Sequence, residues 1–109
     1  MELTSADGPQ HARALKRANH VRSARALVKR RIASGHLTAA QVILSHRWEL
    51  ESMRIAEVVL SQRQWGRKRC DELLVTLSMQ ETKSIGSMTE RQRIATAALL
   101  TARSRLLGD

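Results

Sequence analysis

Gln64-Trp65-Gly66-Arg67-Lys68-Arg69-Cys70 is the stretch on which the reading of this chain turns. A short apolar run, Ile55, Val58, Val59 and Leu60, leads into it, and an apolar-periodic run, Cys70, Leu73, Leu74 and Leu77, leads out. A glycine followed at once by three cations, on the threshold of a helix, is suited to holding an anion. The first amides of a helix have no intrahelical partners and carry the positive end of its dipole. Glycine lets a phosphate approach the backbone closely, and the cations add charge around it. The same residues also fit a plain helix–helix turn with solvated arginines, and the stretch alone does not choose between the two.

Composition narrows the choice. A chain of 109 residues holds one domain with a modest core. A net charge of +9 and a pI of about 11.4 favour a polyanionic partner, nucleic acid or an anionic membrane surface. The charge is blocked: eight Lys or Arg residues and no acid lie between Arg13 and Arg31, and cations return after Arg63. Between them, Gly35 to Leu60 is slightly acidic through Glu49, Glu51 and Glu57. Trp48 and Trp65 are the only aromatic residues besides histidine. That excludes the sheet and barrel modules that stack bases on several rings. One cysteine rules out an internal disulfide, and no run of apolar residues is long enough for a secretory or transmembrane segment. A cytoplasmic, nucleoid-associated protein with no membrane partner is expected.

Along the chain, residues 1–9 read as a disordered start, with Gly8-Pro9 opening a helix. Residues 10–35 read as one long basic helix, closed by Gly35. Leu15, Ala18, Val21, Val28 and Ile32 recur at helical spacing and are expected to pack. Surface helices normally interleave signs to gain pairs at i, i+4. An acid-free helix therefore favours phosphate contact over mere solubility. Thr38 with Gln41 forms a capping-box pattern that opens a short helix, ended by His46-Arg47-Trp48. Trp48 reads as an aromatic at the core edge. Ser52 is expected to open the next helix, a turn covers Gln62 to Trp65, and a helix runs from Gly66 to about Ser78. On position alone Trp65 reads as a core anchor and Cys70 as a packing residue. Residues 79–88 read as a linker with Lys83 and Gly86, before a second capping box, Thr89 with Gln92. The last helix carries Ile94, Ala97, Ala98, Leu100, Leu106 and Leu107 as its apolar set, with Arg91, Arg93, Arg103 and Arg105 as its charge. Nothing alternates with strand periodicity. The fold class is all-α, with about five helices.

The chemistry of an enzyme is missing. The histidines at 11, 20, 36 and 46 are scattered and make no metal spacing with Cys70. No phosphate loop ends in Lys-Ser or Lys-Thr, and Glu49 and Glu51 point to different sides of any regular element. No catalytic residue, metal or cofactor is expected.

Several stretches taken together resemble the actinobacterial (mycobacterial and streptomycete-type) integration host factor family. Arg22-Ser23-Ala24-Arg25-Ala26 with Lys29, Arg31, Ile32 and Gly35 looks like the family's basic helix and its glycine stop. Gln41-Val42, Met53-Arg54-Ile55, Gly66-Arg67-Lys68-Arg69-Cys70 and Arg91-Gln92-Arg93 resemble its further signatures, in order and spacing. The resemblance covers most of the chain and implies a long N-terminal helix packed on a helix-two-turns-helix domain, residues 36–109, a unit also found in a ribosomal small-subunit protein. It implies an architectural protein that binds double-stranded DNA through the backbone with low sequence specificity, bends it or assists site-specific recombination, and works as a monomer. A recombinase or a host nucleoid protein is the further partner it implies. The site residues implied are Gln64, Trp65, Gly66, Arg67, Lys68 and Arg69 at the turn. Lys83, Arg91 and Arg93 stand before and within the last helix, and Arg22, Arg25 and Lys29 along the first.

The chain departs from the family at the turn, at the linker and in a longer tail beyond Leu100. Arg63, Gln64 and Trp65 replace the family's Pro-x-Val, and the linker keeps only Lys83 where the family carries an arginine cluster. The resemblance is therefore to a divergent member, phage-encoded or otherwise. Two other functions fit the sequence: a structured-RNA-binding module, and a protein-interaction factor that captures a host DNA-binding protein with the apolar side of the long helix.

Overall fold

Pro9 stands at the first position of the long helix, where its missing amide hydrogen is no loss. The computed structural model describes residues 9–107, so the expected disordered start lies, but for Pro9, outside the described residues. Helix α1 spans Pro9–Ala33 and ends as Gly35 predicts. Gly35 adopts φ +86°, its amide donates to Ile32 O at 3.1 Å, and His36 N–H reaches Arg31 O at 2.9 Å. That pair of bonds closes the last orphan carbonyls of the helix, and the left-handed residue between them is where a side chain is least tolerated.

Four further helices follow: α2 at Ala39–Leu44, α3 at Ile55–Leu60, α4 at Arg67–Leu77 and α5 at Glu90–Leu106. Short 3₁₀ turns stand at Trp48–Leu50 and Ile85–Ser87. Among the described residues no strand forms, so the all-α expectation holds. Both capping boxes are made: Thr38 with Gln41 opens α2, and Thr89 with Gln92 opens α5. Met53, Ile55, Val58, Val59, Leu73 and Leu100 form the centre of the core with Ile43 and Leu50.

Four expectations need correction. First, α1 buries side chains only in its C-terminal half. Val28 and Ile32 are buried, but Leu15 is 52% exposed and residues 9–20 are all exposed. A 25-residue helix is about 37 Å long, more than the rest of the fold can cover. Second, Trp48 is 44% exposed and lies on the flank of α1 rather than at the core edge. The Arg17 guanidinium sits 4.2 Å from its ring centroid, and the His20 ring stacks on it at 5.6 Å. Third, Arg54 and not Ser52 precedes α3, with no side-chain cap; the carbonyl of Lys83 takes the Ile55 amide at 2.7 Å.

Fourth, residues 79–88 are far from a free linker. Ile85 N–H donates to Met53 O and Gly86 N–H to Glu51 O, both at 2.9 Å, while Arg54 and Ser84 form an antiparallel bridge. Met79, Ile85 and Met88 are buried. Gly86 is obligatory here, since a Cβ at that position would lie 2.7 Å from the Glu51 Cβ.

On α5 the buried stripe is Arg93, Thr96, Ala97 and Leu100, spaced i, i+3, i+4, i+7 against α2 and α4. That phase turns Ile94 outward, 56% exposed, and leaves Leu106 at 84%. No helix among the described residues is long and apolar enough to cross a membrane.

Candidate nucleic-acid interface

Two successive turns join α3 to α4. Ser61 and Gln62 donate to Val58 O and Val59 O, then Trp65 N–H returns to Gln62 O at 3.3 Å with Gln64 at φ +70°. The second turn drives the Trp65 side chain inward, 4% exposed, with the Arg69 guanidinium 6.0 Å from its ring centroid. Trp65 therefore belongs to the core, and its ring is not available to a ligand.

Gly66 follows as the N-cap of α4. Its φ of −88° and ψ of −179° are extended backbone that any residue adopts, and a Cβ there would meet nothing within 4 Å. Neither strain nor packing requires glycine at this position. What its small size leaves is open space before the helix start. No side chain caps α4, and its first internal bond is Cys70 N–H to Gly66 O at 3.0 Å. The preceding amides are left without intrahelical partners. The contrast with α2 and α5, both boxed, is the feature of interest.

The cations named from the sequence fall into distinct environments. Lys68 is exposed, Arg69 half-buried over Trp65, and Gln64 and the neighbouring Arg63 exposed. Arg67 is held by carboxylates: Asp71 Oδ1 lies 3.6 Å from its Nε, and Glu81 accepts from its Nη2. Arg25 and Lys29 both hold Glu57, at 3.0 and 2.8 Å. Burial works to raise the Glu57 pKa, but the Lys29 bond and the nearby charges of Arg25 and Lys29 outweigh it and hold the carboxyl below its ordinary value. Arg22 is exposed and donates to Asn19 Oδ1 at 3.0 Å. Lys83 is half-buried, and Arg91 is exposed on the first turn of α5.

Arg93 is the clearest departure from expectation. It is 6% exposed, and its Nη1 donates to Ile43 O at 2.7 Å, where the carbonyls of α2 run out. A guanidinium at a helix C-terminus is favoured by the dipole and satisfies an orphan acceptor. The side chain joins two helices and does not face a partner.

The fold gathers Arg25 and Arg67 in one groove with Arg54, Glu57, Glu81 and Thr82. A second groove along α1, lined by Arg17, Arg22, Arg25 and Lys29, shares Arg25 and Glu57 with it. Together they make a basic band from the long helix to the two turns. Arg91 lines neither groove. Sequence reasoning missed Arg54 as part of this band, although its place just before α3, inside Met53-Arg54-Ile55, was a usable signal. Among the described residues no cluster of three or more His, Cys, Asp or Glu could hold a metal ion.

The architecture is that of an all-α protein in which a long helix is laid on a helix, two turns and a helix. It is similar to sIHF, an integration host factor whose structure was solved bound to an 8-bp palindromic DNA. The two share 18% sequence identity over 78% of this chain and 98% of that one, with a TM-score of 0.68. No protein-family model matches the sequence, and comparison with curated proteins finds no match.

Proposed function

We propose that this chain is a non-enzymatic architectural protein of the integration-host-factor kind, which binds duplex DNA mainly through its phosphate backbone with little sequence preference. The observation that carries the reading is the open, uncapped start of α4, with free space at Gly66 and Lys68 and Arg69 beside it. Backbone amides at a helix start, next to cations, form an anion site, and phosphate is the anion a +9 chain most readily meets. The shared fold with sIHF, solved with DNA, supports the same polymer as partner.

In this reading residues 36–109 form the DNA-binding unit and the long helix 10–35 extends its contact. Gln64, Gly66, Lys68 and Arg69 grip one backbone, Lys83 and Arg91 approach the neighbouring one, and Arg22 follows the duplex. Arg25, Lys29 and Arg67 join as phosphate displaces their carboxylates. Specificity then rests on shape and deformability rather than base edges, which is how a backbone binder bends DNA. A monomer at the nucleoid, acting alone or beside a recombinase, fits this picture. The divergent turn and linker suit a phage-encoded or otherwise outlying relative of the actinobacterial proteins.

The test is fluorescence anisotropy with a labelled duplex from 50 to 200 mM salt. With roughly six phosphate contacts, affinity falls about a thousandfold over that range. Lys68→Ala/Arg69→Ala lowers the logarithmic salt slope by about 1.8, two contacts at about 0.9 each. A shallow slope, or a slope the double variant leaves unchanged, refutes the assignment of the turn. Unlabelled structured RNA that competes better than duplex DNA moves the function to the RNA-binding alternative.

A further inference from the structure

Glu81 and Arg67 are fourteen positions apart, and the fold brings them together. The segment that carries Glu81 is pinned at both ends. Ser78 turns left-handed at φ +55° to end α4, and Met79 N–H bonds back to Leu74 O at 2.9 Å with its side chain buried. Lys83 N–H closes a turn on Gln80 O at 3.0 Å, and the Lys83 carbonyl is fixed by Ile55 N–H. Glu81 therefore stands at the tip of a short turn anchored in the core, and its carboxylate is delivered to Arg67 at the first position of α4. Both side chains are about half exposed, at 58% and 50%. An exposed ion pair of this kind contributes little to stability, so the fold does not depend on it.

From these observations we infer that Glu81 is an internal competitor for the phosphate site, a carboxylate that occupies Arg67 until a backbone phosphate displaces it. The inference rests on the DNA-binding reading above and adds its regulation. A carboxylate offers a guanidinium the same paired oxygens as a phosphate does. It also places a negative charge where a polyanion must approach. Held by a short turn, it competes at the high local concentration of a tethered group. An incoming phosphate that is itself tethered, through a duplex already gripped by Lys68 and Arg69, matches that advantage. Glu81 thus sets the affinity of the two-turn site and favours extended polyanions over single phosphate groups.

The experiment compares duplex affinity and salt slope for the intact protein, Glu81→Gln, Arg67→Ala and the double variant Glu81→Gln/Arg67→Ala. Glu72→Gln, which makes the same change in net charge on the exposed side of α4, is the control. Glu81→Gln is expected to tighten binding about three- to tenfold at 100 mM salt with the slope little changed, since Arg67 contacts phosphate in both complexes and only the competing carboxylate is gone. Glu72→Gln tightens binding less than Glu81→Gln does, and the advantage of Glu81→Gln over Glu72→Gln vanishes once Arg67 is gone. If the intact protein binds with a steep slope and Glu81→Gln binds no better than Glu72→Gln, the competitor role is overturned and the DNA reading stands. Persistence of the full gain in the Arg67→Ala background also overturns it, since Glu81 then acts by net charge alone. If neither the intact protein nor Glu81→Gln binds duplex at low salt, both readings fall. Thermal unfolding of Glu81→Gln within about 2 °C of the intact protein, as an exposed pair requires, keeps a folding defect out of the comparison.

Discussion

Arg93→Met separates a role in the fold from a role on DNA. Methionine keeps most of the alkyl stem in the packed stripe on α5 and removes the guanidinium. The Ile43 carbonyl then loses its 2.7 Å donor at the end of α2. Hydrogen bonds to charged groups are worth about 1.5–3 kcal/mol, and the dipole of α2 adds to this one. Removing the buried charge also removes its desolvation cost, which offsets part of that loss. The expected destabilisation is about 2 kcal/mol. With an unfolding entropy of about 0.2 kcal/mol/K for a chain of this size, the midpoint falls by about 9 °C. Circular dichroism at 222 nm, followed through thermal and urea unfolding, measures the loss. Duplex affinity against salt, on the folded variant, measures the other side, and its slope should stay as in the intact protein. A midpoint shift under about 2 °C together with a slope reduced by about 0.9 would refute the reasoning and put Arg93 on phosphate.

Gly66→Ala tests the open space before α4. An N-cap alanine is poorer than glycine by about 0.5–1 kcal/mol, and the stiffer unfolded chain offsets about 0.4–1 kcal/mol of this, so stability stays within about 0.5 kcal/mol while duplex affinity drops. Unchanged affinity would show that phosphate does not approach the glycine. Glu57→Gln tests the clamp between α1 and α3. The folded-state pKa of Glu57 is depressed, so its contribution is full above the unfolded value of about 4.3 and disappears as pH falls through the folded value. The variant should be about 1 kcal/mol less stable at pH 7, with the gap closing as pH falls below the unfolded value of about 4.3; a gap independent of pH contradicts the clamp. Cys70 is fully buried, and burial with the adjacent Asp71 charge pushes its thiol pKa up. Labelling by a thiol-specific disulfide reagent should therefore track global unfolding, whereas fast labelling of the native protein would contradict that burial.

Sequence by itself determined the local punctuation, because each such signal depends on a few neighbouring residues. Gly35 stops α1 through its left-handed backbone, and Thr38 with Gln41 and Thr89 with Gln92 open α2 and α5 through bonds three residues long. The all-α class and a turn before the helix at Gly66 followed from periodicity and spacing in the same way, while the helix, two turns and helix were what the family resemblance implied. What faces what was decided only by the tertiary structure. Ile94 and Arg93 adjoin in sequence, yet the phase of α5 against α2 buries the arginine and exposes the isoleucine. The apolar run of α1 could not reveal that the rest of the fold is too small to cover Leu15 and Ala18. Arg25, Lys29 and Arg67 read as free cations in the sequence, but in the fold Arg25 and Lys29 share Glu57, 32 and 28 residues away, and Arg67 pairs with Glu81, 14 residues away. Charge pairing across such separations depends on how helices pack, and no local pattern encodes it. The sequence therefore marked where an anion could sit, and the packing decided which of its cations are free to hold one.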